Sequence, residues 1–382
     1  MEETKQTQQV ATLKPRNVAI DLLKIIAILL ICLSHASQTL RGLYEFPFYG
    51  PSNIVSTLFY SFGTIGNVLF IICSSYFLVD KGTARGEKAL NILFDSTLIS
   101  ISIMVGFLVA REPLTWDTIK QLIFPDVFAT NWFVPCYVIF YLLSPIVVHG
   151  LKHLNDKQHF CLIILSLIVY GGLSLISIFP VGSTLLQFFY ILNIVAFIRW
   201  RAPFIYNHRV GNLVFFLVGI ALCYLGYFGF IILARYNEHF NKMMFMQMYS
   251  PFVILPLIAL FNVFVTFKFE NKFISYLSQC TLFVYVIHEN YLLRSITRVK
   301  YYQWAFATYG ESLTLVYMLI CGLFMFVVGF VLAIIYKETL ARLTSIASRK
   351  VSILIDKVLS WFFTKSVGNK QEKLNSEIKN EE

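Results

Sequence analysis

The sequence predicts an all-α fold, a polytopic transmembrane helix bundle, and three observations carry that reading. Of 382 residues, 57% are hydrophobic and 14% are charged, where a soluble domain averages about 25% charged. Apolar runs near the roughly 20 residues that cross a bilayer recur along the chain. The net charge of +10 sits outside those runs, in the loops between them and in the polar ends.

Taken in order, residues 1–17 form a polar tail. It has no short apolar core and no small-residue cleavage site before Val18, so we expect no cleaved signal peptide and a retained first helix. About ten spans follow, near 18–36, 54–79, 91–109, 132–148, 160–179, 183–199, 210–234, 248–267, 273–293 and 312–336. Only Phe179-Pro180-Val181-Gly182-Ser183 divides the fifth from the sixth. The membrane domain is thus 18–336. Residues 337–365 read as an in-plane amphipathic helix: Leu340, Leu343, Ala347, Val351, Leu354, Val358, Trp361 and Phe362 recur at helical spacing among Arg342, Arg349, Lys350, Lys357 and Lys365. Residues 366–382 are polar, of mixed charge and expected to be disordered.

Lys and Arg set the orientation. With the N-terminus inside, 13 basic residues fall on inner segments and 8 on outer loops, and the tail from Lys337 adds nine inside. We therefore expect a multi-pass plasma-membrane protein with both termini cytosolic. The basic ends suit an anionic lipid surface, and no basic–aromatic interleaving points to nucleic acid. Seven cysteines lie in apolar runs without a C-x-x-C pair, which reads as packing, not a disulfide framework or zinc site. His149, His153 and His159 lack the intervening Glu of a helical zinc motif and read as a solvated face. No G-x-S-x-G, P-loop or dinucleotide motif occurs.

The chemistry concentrates in Val18–Gln38, which carries Asp21, Lys24 and His35. Ionisable groups at membrane depth are costly and usually face a protein interior or a water-filled cavity. At about 100° and 1.5 Å per residue, Lys24 and His35 share a face, with the imidazole roughly 16 Å further along. Asp21 lies within about 40° of His35 on that wheel. One helix thus presents a charge pair near one surface and a titratable base deeper in.

Asp21-Leu22-Leu23-Lys24, ten mostly apolar residues and then His35 resemble the opening of the acyltransferase 3 family of bacterial membrane O-acyltransferases. Asn131–Pro145 (NWFVPCYVIFYLLSP) and Leu282–Arg294 (LFVYVIHENYLLR) are similar to two further stretches of that family, and the resemblance covers about 17–336. Lys24 replaces the usual arginine, keeping charge but losing the bidentate fork. Arg85 and Lys88 stand where the family often has an Arg-x-x-Arg pair, and Ser75 replaces a family glycine.

The resemblance implies transfer of an acyl group, usually acetyl from acetyl-CoA, to a hydroxyl of a cell-surface or exported polysaccharide. His35 is then the base, or carries the acyl group itself. Asn131 is a candidate to polarise the carbonyl, and Glu289 to orient His35. Lys24, Asp21, Arg85, Lys88, Arg199 and Arg201 are candidates for the donor side, although the positive-inside rule alone explains the arginines and Lys88. Trp132, His288 and Arg294 are candidates for the acceptor, with Trp132 also readable as an aromatic-belt anchor. No metal is expected; the partners are membrane lipids and a glycan or lipid-linked glycan, with oligomeric state open. A polysaccharide exporter built on a similar bundle is the alternative.

Overall fold

The computed structural model describes residues 17–47, 50–128, 131–173, 184–233, 244–353, 355 and 357. Nearly all of the N-terminal tail, the boundary at Phe179–Ser183 and the 366–382 tail lie outside them. The described residues are helical, with no strand among them. The elements are α1 (Val18–Leu43), α2 (Pro51–Leu78), α3 (Gly86–Val109), α4 (Trp116–Ile123), α5 (Phe133–His153), α6 (Asp156–Leu165), α7 (Thr184–Arg201), α8 (Arg209–Leu233), α9 (Pro251–Val265), α10 (Lys272–Ser278), α11 (Thr281–His288), α12 (Arg298–Tyr309) and α13 (Thr314–Thr339). A final helix, α14, covers 341–353.

Helix α1 is the central element. Asn17 caps it, its side chain accepting from the Ala19 and Ile20 amides at 3.0 and 3.4 Å. Ile20, Leu23, Ala27 and Cys32 are fully buried, because α2, α9, α10, α11, α12 and α13 all pack on it. Small residues let the backbones close in: a Cβ on Gly66 would stand 2.6 Å from the Ala27 carbonyl, and one on Gly322 2.7 Å from the Leu33 side chain. Packing of this kind is how helices associate where lipid supplies no hydrophobic drive.

Among the described residues, six helical segments are long and apolar enough to cross a membrane: α1, α2, α3, α5, α8 and Glu311–Thr339. The other expected runs take different forms. The fifth is α6 followed by a π-helical turn at Ser166–Gly172, the sixth is α7 ending at Arg199 and Arg201, and the eighth is the 15-residue α9. The ninth, read as one span, is broken twice. Gln279 and Cys280 separate α10 from α11, and α11 stops at His288. Beyond it a π-helical turn, Leu293–Thr297, leads into α12.

A helix ending among buried side chains must have its backbone groups satisfied by protein. The Arg298 guanidinium donates to the His288 carbonyl at 3.2 Å, and the Asn290 side chain accepts from the Leu292 amide at 3.0 Å. The break therefore places His288, Glu289 and Asn290 inside the bundle with their backbone supported.

The α14 helix descends along α3. Thr344 and Tyr336 both donate to the buried Asp95 at 2.6 Å, Ser348 donates to Asn91 at 3.3 Å, and Arg349 pairs with Glu87 at 3.6 Å. Its Thr/Ser face is buried against α3 while Leu343, Ile346, Val351 and Ile353 are exposed.

Candidate active site

His35, on α1, meets the broken end of α11. Its Nδ1 lies 2.9 Å from His288 Nε2 and 3.0 Å from Glu289 Oε1. Val284 decides the tautomers. Its carbonyl oxygen accepts only, and His288 Nδ1 sits 2.7 Å from it, so that nitrogen carries a proton. Neutral His288 then offers a lone pair at Nε2, and His35 Nδ1–H donates to it and to Glu289. With Nδ1 so engaged, Nε2 is the ring nitrogen left to exchange a proton, the arrangement of a base oriented by a carboxylate.

Arg298 clamps this group. It is 4% exposed, and it donates to the His35 carbonyl at 3.2 Å and to Glu289 Oε1 at 2.7 Å, besides capping His288. Arg294 approaches the other Glu289 oxygen at 3.6 Å and is 42% exposed. One carboxylate thus faces two guanidinium groups. A cavity of about 290 Å³ opens beside the site, lined by His35, Gln38, Thr39, Glu289, Arg294 and Arg298. It is lined by the C-terminal end of α1 and lies away from Lys24.

His35, His288 and Glu289 also bring their ligand atoms within 4.8 Å of one another, as a metal site would. Those atoms already hold one another, and Glu289 is paired with Arg298. A dication there would have to separate them beside a guanidinium, so the donor set favours proton chemistry.

At the other end of α1, Asp21 accepts from Ser278 at 2.7 Å and pairs with Lys24 at 3.8 Å. Lys24 stands over the Phe77 ring at 4.9 Å. Arg199 pairs with Asp80 and lies 3.9 Å over Tyr76. Lys88 lies 4.9 Å over Tyr141, whose hydroxyl accepts from the Arg85 amide at 3.0 Å. Lys24 and Arg199 thus each stand over a ring at the end of α2, Phe77 and Tyr76, and Lys88 over Tyr141 of α5, while the Arg85 guanidinium pairs with Glu87 at 2.8 Å. Arg201 stands apart: it bonds Asp156, His159 Nδ1 at 2.9 Å and the Leu154 carbonyl, tying α7 to the α5–α6 corner. His159 is fully buried there, unlike the solvated face expected of it.

Asn131 and Trp132 do not touch His35. Asn131 is buried, its amide 3.5 Å from Ser96 Oγ and its carbonyl oxygen without a partner. Trp132 is 37% exposed and packs edge-on against Phe133. Phe133 lies 5.2 Å from Tyr285, and Tyr285 5.6 Å from His288, so one aromatic layer separates the start of α5 from the histidines. Sequence reasoning did not single out Arg298, Tyr285 or Asn290.

No curated protein and no solved structure matches this chain. A family model described as an acyltransferase domain (Acyl_transf_3) matches residues 17–335, spanning α1 and all but the last turn of α13, and the chain therefore belongs to the acyltransferase 3 family.

Proposed function

We propose that this membrane acyltransferase is an O-acetyltransferase, moving acetyl from acetyl-CoA to a hydroxyl of a cell-surface or exported polysaccharide. The observation that carries the reading is the His35 imidazole, held through Nδ1 by Glu289 and His288, so that Nε2 is the ring nitrogen left to take up a proton. A sugar hydroxyl is a poor nucleophile, and a base of this kind removes its proton as the oxygen attacks the thioester carbonyl. The C–O bond forms, the C–S bond breaks, and the departing thiolate recovers the proton from the imidazolium. Glu289 offsets the positive charge that His35 carries in between.

The cation–aromatic group at Lys24, Lys88 and Arg199 suits the donor's phosphates and adenine, as charged donors and π faces do. Lys24 then marks the cytosolic side, and the cavity at His35 the side from which the acceptor enters. The flexible arm of CoA bridges the roughly 16 Å along α1 between them.

The test is acetyl-CoA cleavage and acetyl transfer by the purified protein in nanodiscs, with the acetate content of the cell's glycans read by mass spectrometry. His35→Ala should abolish transfer while leaving the protein inserted and folded. Normal acetate in that variant removes His35 from the mechanism. A polysaccharide exporter would leave the thioester intact even in the unsubstituted protein.

A further inference from the structure

Acyl transfer places negative charge on the former carbonyl oxygen, and a catalyst needs a hydrogen-bond donor aimed at it. Asn131, which the family resemblance suggests for that task, lies behind the Phe133–Tyr285 layer and reaches towards Ser96. The donor must therefore come from the cavity of about 290 Å³ at His35. Most polar side chains lining it are committed elsewhere. Thr39 spends its hydroxyl hydrogen on the His35 carbonyl at 3.1 Å. Gln38 lays its amide beside Gly63 of α2 and donates to Ser34 Oγ at 3.2 Å. Arg298 is 4% exposed and divided among Glu289 and two backbone carbonyls. Arg294 differs. Its side chain is 42% exposed, and its contact with Glu289 Oε2, at 3.6 Å, is longer than a hydrogen bond. It stands in the π-helical turn Leu293–Thr297, a geometry frequent at functional sites. Asn290 steadies that turn: its carbonyl accepts from the Arg294 amide at 2.9 Å, and its side-chain amide donates to Ser100 Oγ of α3 at 3.1 Å.

We propose that Arg294 is a further catalytic residue, whose guanidinium donates hydrogen bonds to the oxyanion formed at the thioester carbonyl. The inference rests on the acetyl-CoA reading and supplies a group that His35 does not. As the acceptor oxygen attacks, His35 takes its proton and the carbonyl π pair moves onto oxygen. Arg294 meets that charge without giving up a proton, since an arginine stays protonated. The pair returns as the C–S bond breaks, and the thiolate recovers the proton from His35. Two observations fit Arg294 to the task. Glu289 is already held by Arg298 at 2.7 Å, so Arg294 is not needed to anchor it. The carboxylate also sets the two groups on one frame: one oxygen accepts from His35 Nδ1 and the other faces Arg294. Two guanidinium groups against one carboxylate leave the cavity a positive charge in excess, which a transient oxyanion balances.

The experiment compares the binding of two donor analogues to the full chain in nanodiscs. S-ethyl-CoA has no carbonyl. Trifluoroacetonyl-CoA carries a ketone that hydrates to a tetrahedral carbon with acidic hydroxyls close to the reacting position. Arg294→Gln should weaken trifluoroacetonyl-CoA about 100-fold, the scale of losing one oxyanion donor, and leave S-ethyl-CoA unchanged. Unchanged S-ethyl-CoA binding also shows that the variant is folded. Arg294→Lys should recover part of the loss, since it keeps the charge without the fork. A Glu289→Gln background separates direct contact from an effect through the carboxylate. The loss on Arg294→Gln should persist there; if it vanishes, Arg294 acts only through Glu289 and the proposal falls. Unchanged affinity of Arg294→Gln for the ketone also overturns it, and a simultaneous fall in glycan acetate would assign the guanidinium to an acidic acceptor instead. Failure of the unsubstituted protein to bind S-ethyl-CoA would sink the acetyl-CoA reading itself, and this proposal with it.

Discussion

Glu289 Oε1 lies between His35 Nδ1, at 3.0 Å, and Arg298 Nη2, at 2.7 Å. One carboxylate thus serves a base and a structural cation together. Glu289 and His288 are neighbours in sequence, and both reach His35 because α11 ends between them.

Replacing Glu289 with glutamine keeps an acceptor for Arg298 but removes the charge that supports an imidazolium on His35. Loss of a partner that orients a functional histidine typically costs about 10–100-fold. We expect Glu289→Gln to lower kcat by that order with little change in the donor's KM, measured by acetyl transfer per folded molecule. A fall in donor affinity with unchanged kcat would place Glu289 outside the proton relay.

Arg298 should matter for stability first. Its side chain and that of Glu289 are 5% and 9% exposed, and breaking a buried pair by removing one partner costs about 3–5 kcal/mol. Arg298→Gln should therefore lower the unfolding midpoint in detergent sharply. Arg298→Lys should recover part of it, since it keeps the charge but cannot reach Glu289 and the His35 and His288 carbonyls at once. Equal stability of both variants with the unsubstituted protein would dismiss the clamp.

Much of this was legible before folding. Helical periodicity alone puts Asp21, Lys24 and His35 on one stripe of α1, because the 3.6-residue turn is local. The polar end of the ninth apolar run marks His288 and Glu289 in the same way. Arg298 was not legible. Counted among loop cations, it gains its role from burial against α1, a tertiary event. A signal was present, since Arg294 and Arg298 are spaced i, i+4 shortly after an apolar run that ends in a carboxylate. The broken ninth run was missed for a related reason: hydropathy reports burial of side chains and is blind to where backbone bonding stops. Asn131 and Trp132 became site candidates through the family resemblance, and the Phe133–Tyr285 layer between them and the histidines appears only in three dimensions.

Topology gives an independent check. We propose from the loop and tail Lys and Arg residues that both termini lie on one side and α4, which contains Lys120, on the other. Reporters fused at Lys120 and Asn375 should therefore report opposite compartments. The same compartment for both would break that topology.

Asp126, in the turn between α4 and α5, supplies a pH signature. Burial pushes its carboxyl up from 3.8 to about 6, against a hydrogen bond from Ser96 at 3.0 Å. Its other oxygen is buried without a partner. The folded protein thus holds a proton between about pH 4 and 6 that the unfolded chain releases, so this group's stability contribution falls as pH rises through that window. Asp126→Asn removes the dependence. After allowing for solvent screening, it should be more stable than the unsubstituted protein by about 1–2 kcal/mol at pH 8, with the gap closing towards pH 4. Unfolding midpoints across that range would show it, and a gap independent of pH would refute it.

Lys24 separates donor binding from proton transfer. It stands over Phe77 beside Asp21, at the opposite end of α1 from the His35 cavity. If it meets a donor phosphate, its removal costs a charge-assisted contact worth about 1.5–3 kcal/mol. That is roughly a 10- to 150-fold rise in the apparent KM for acetyl-CoA, with kcat unchanged if ground and transition states share the contact. Lys24→Arg should retain much of the activity, since arginine keeps the charge and the cation–π contact. Lys24→Gln should not. A lysine that only snorkels to the headgroups predicts something else: less protein in the membrane, but an unchanged donor KM per folded molecule. Kinetics in nanodiscs, normalised to folded protein, distinguish the two. An unchanged KM for Lys24→Gln would move donor binding to Arg85, Lys88 or Arg199.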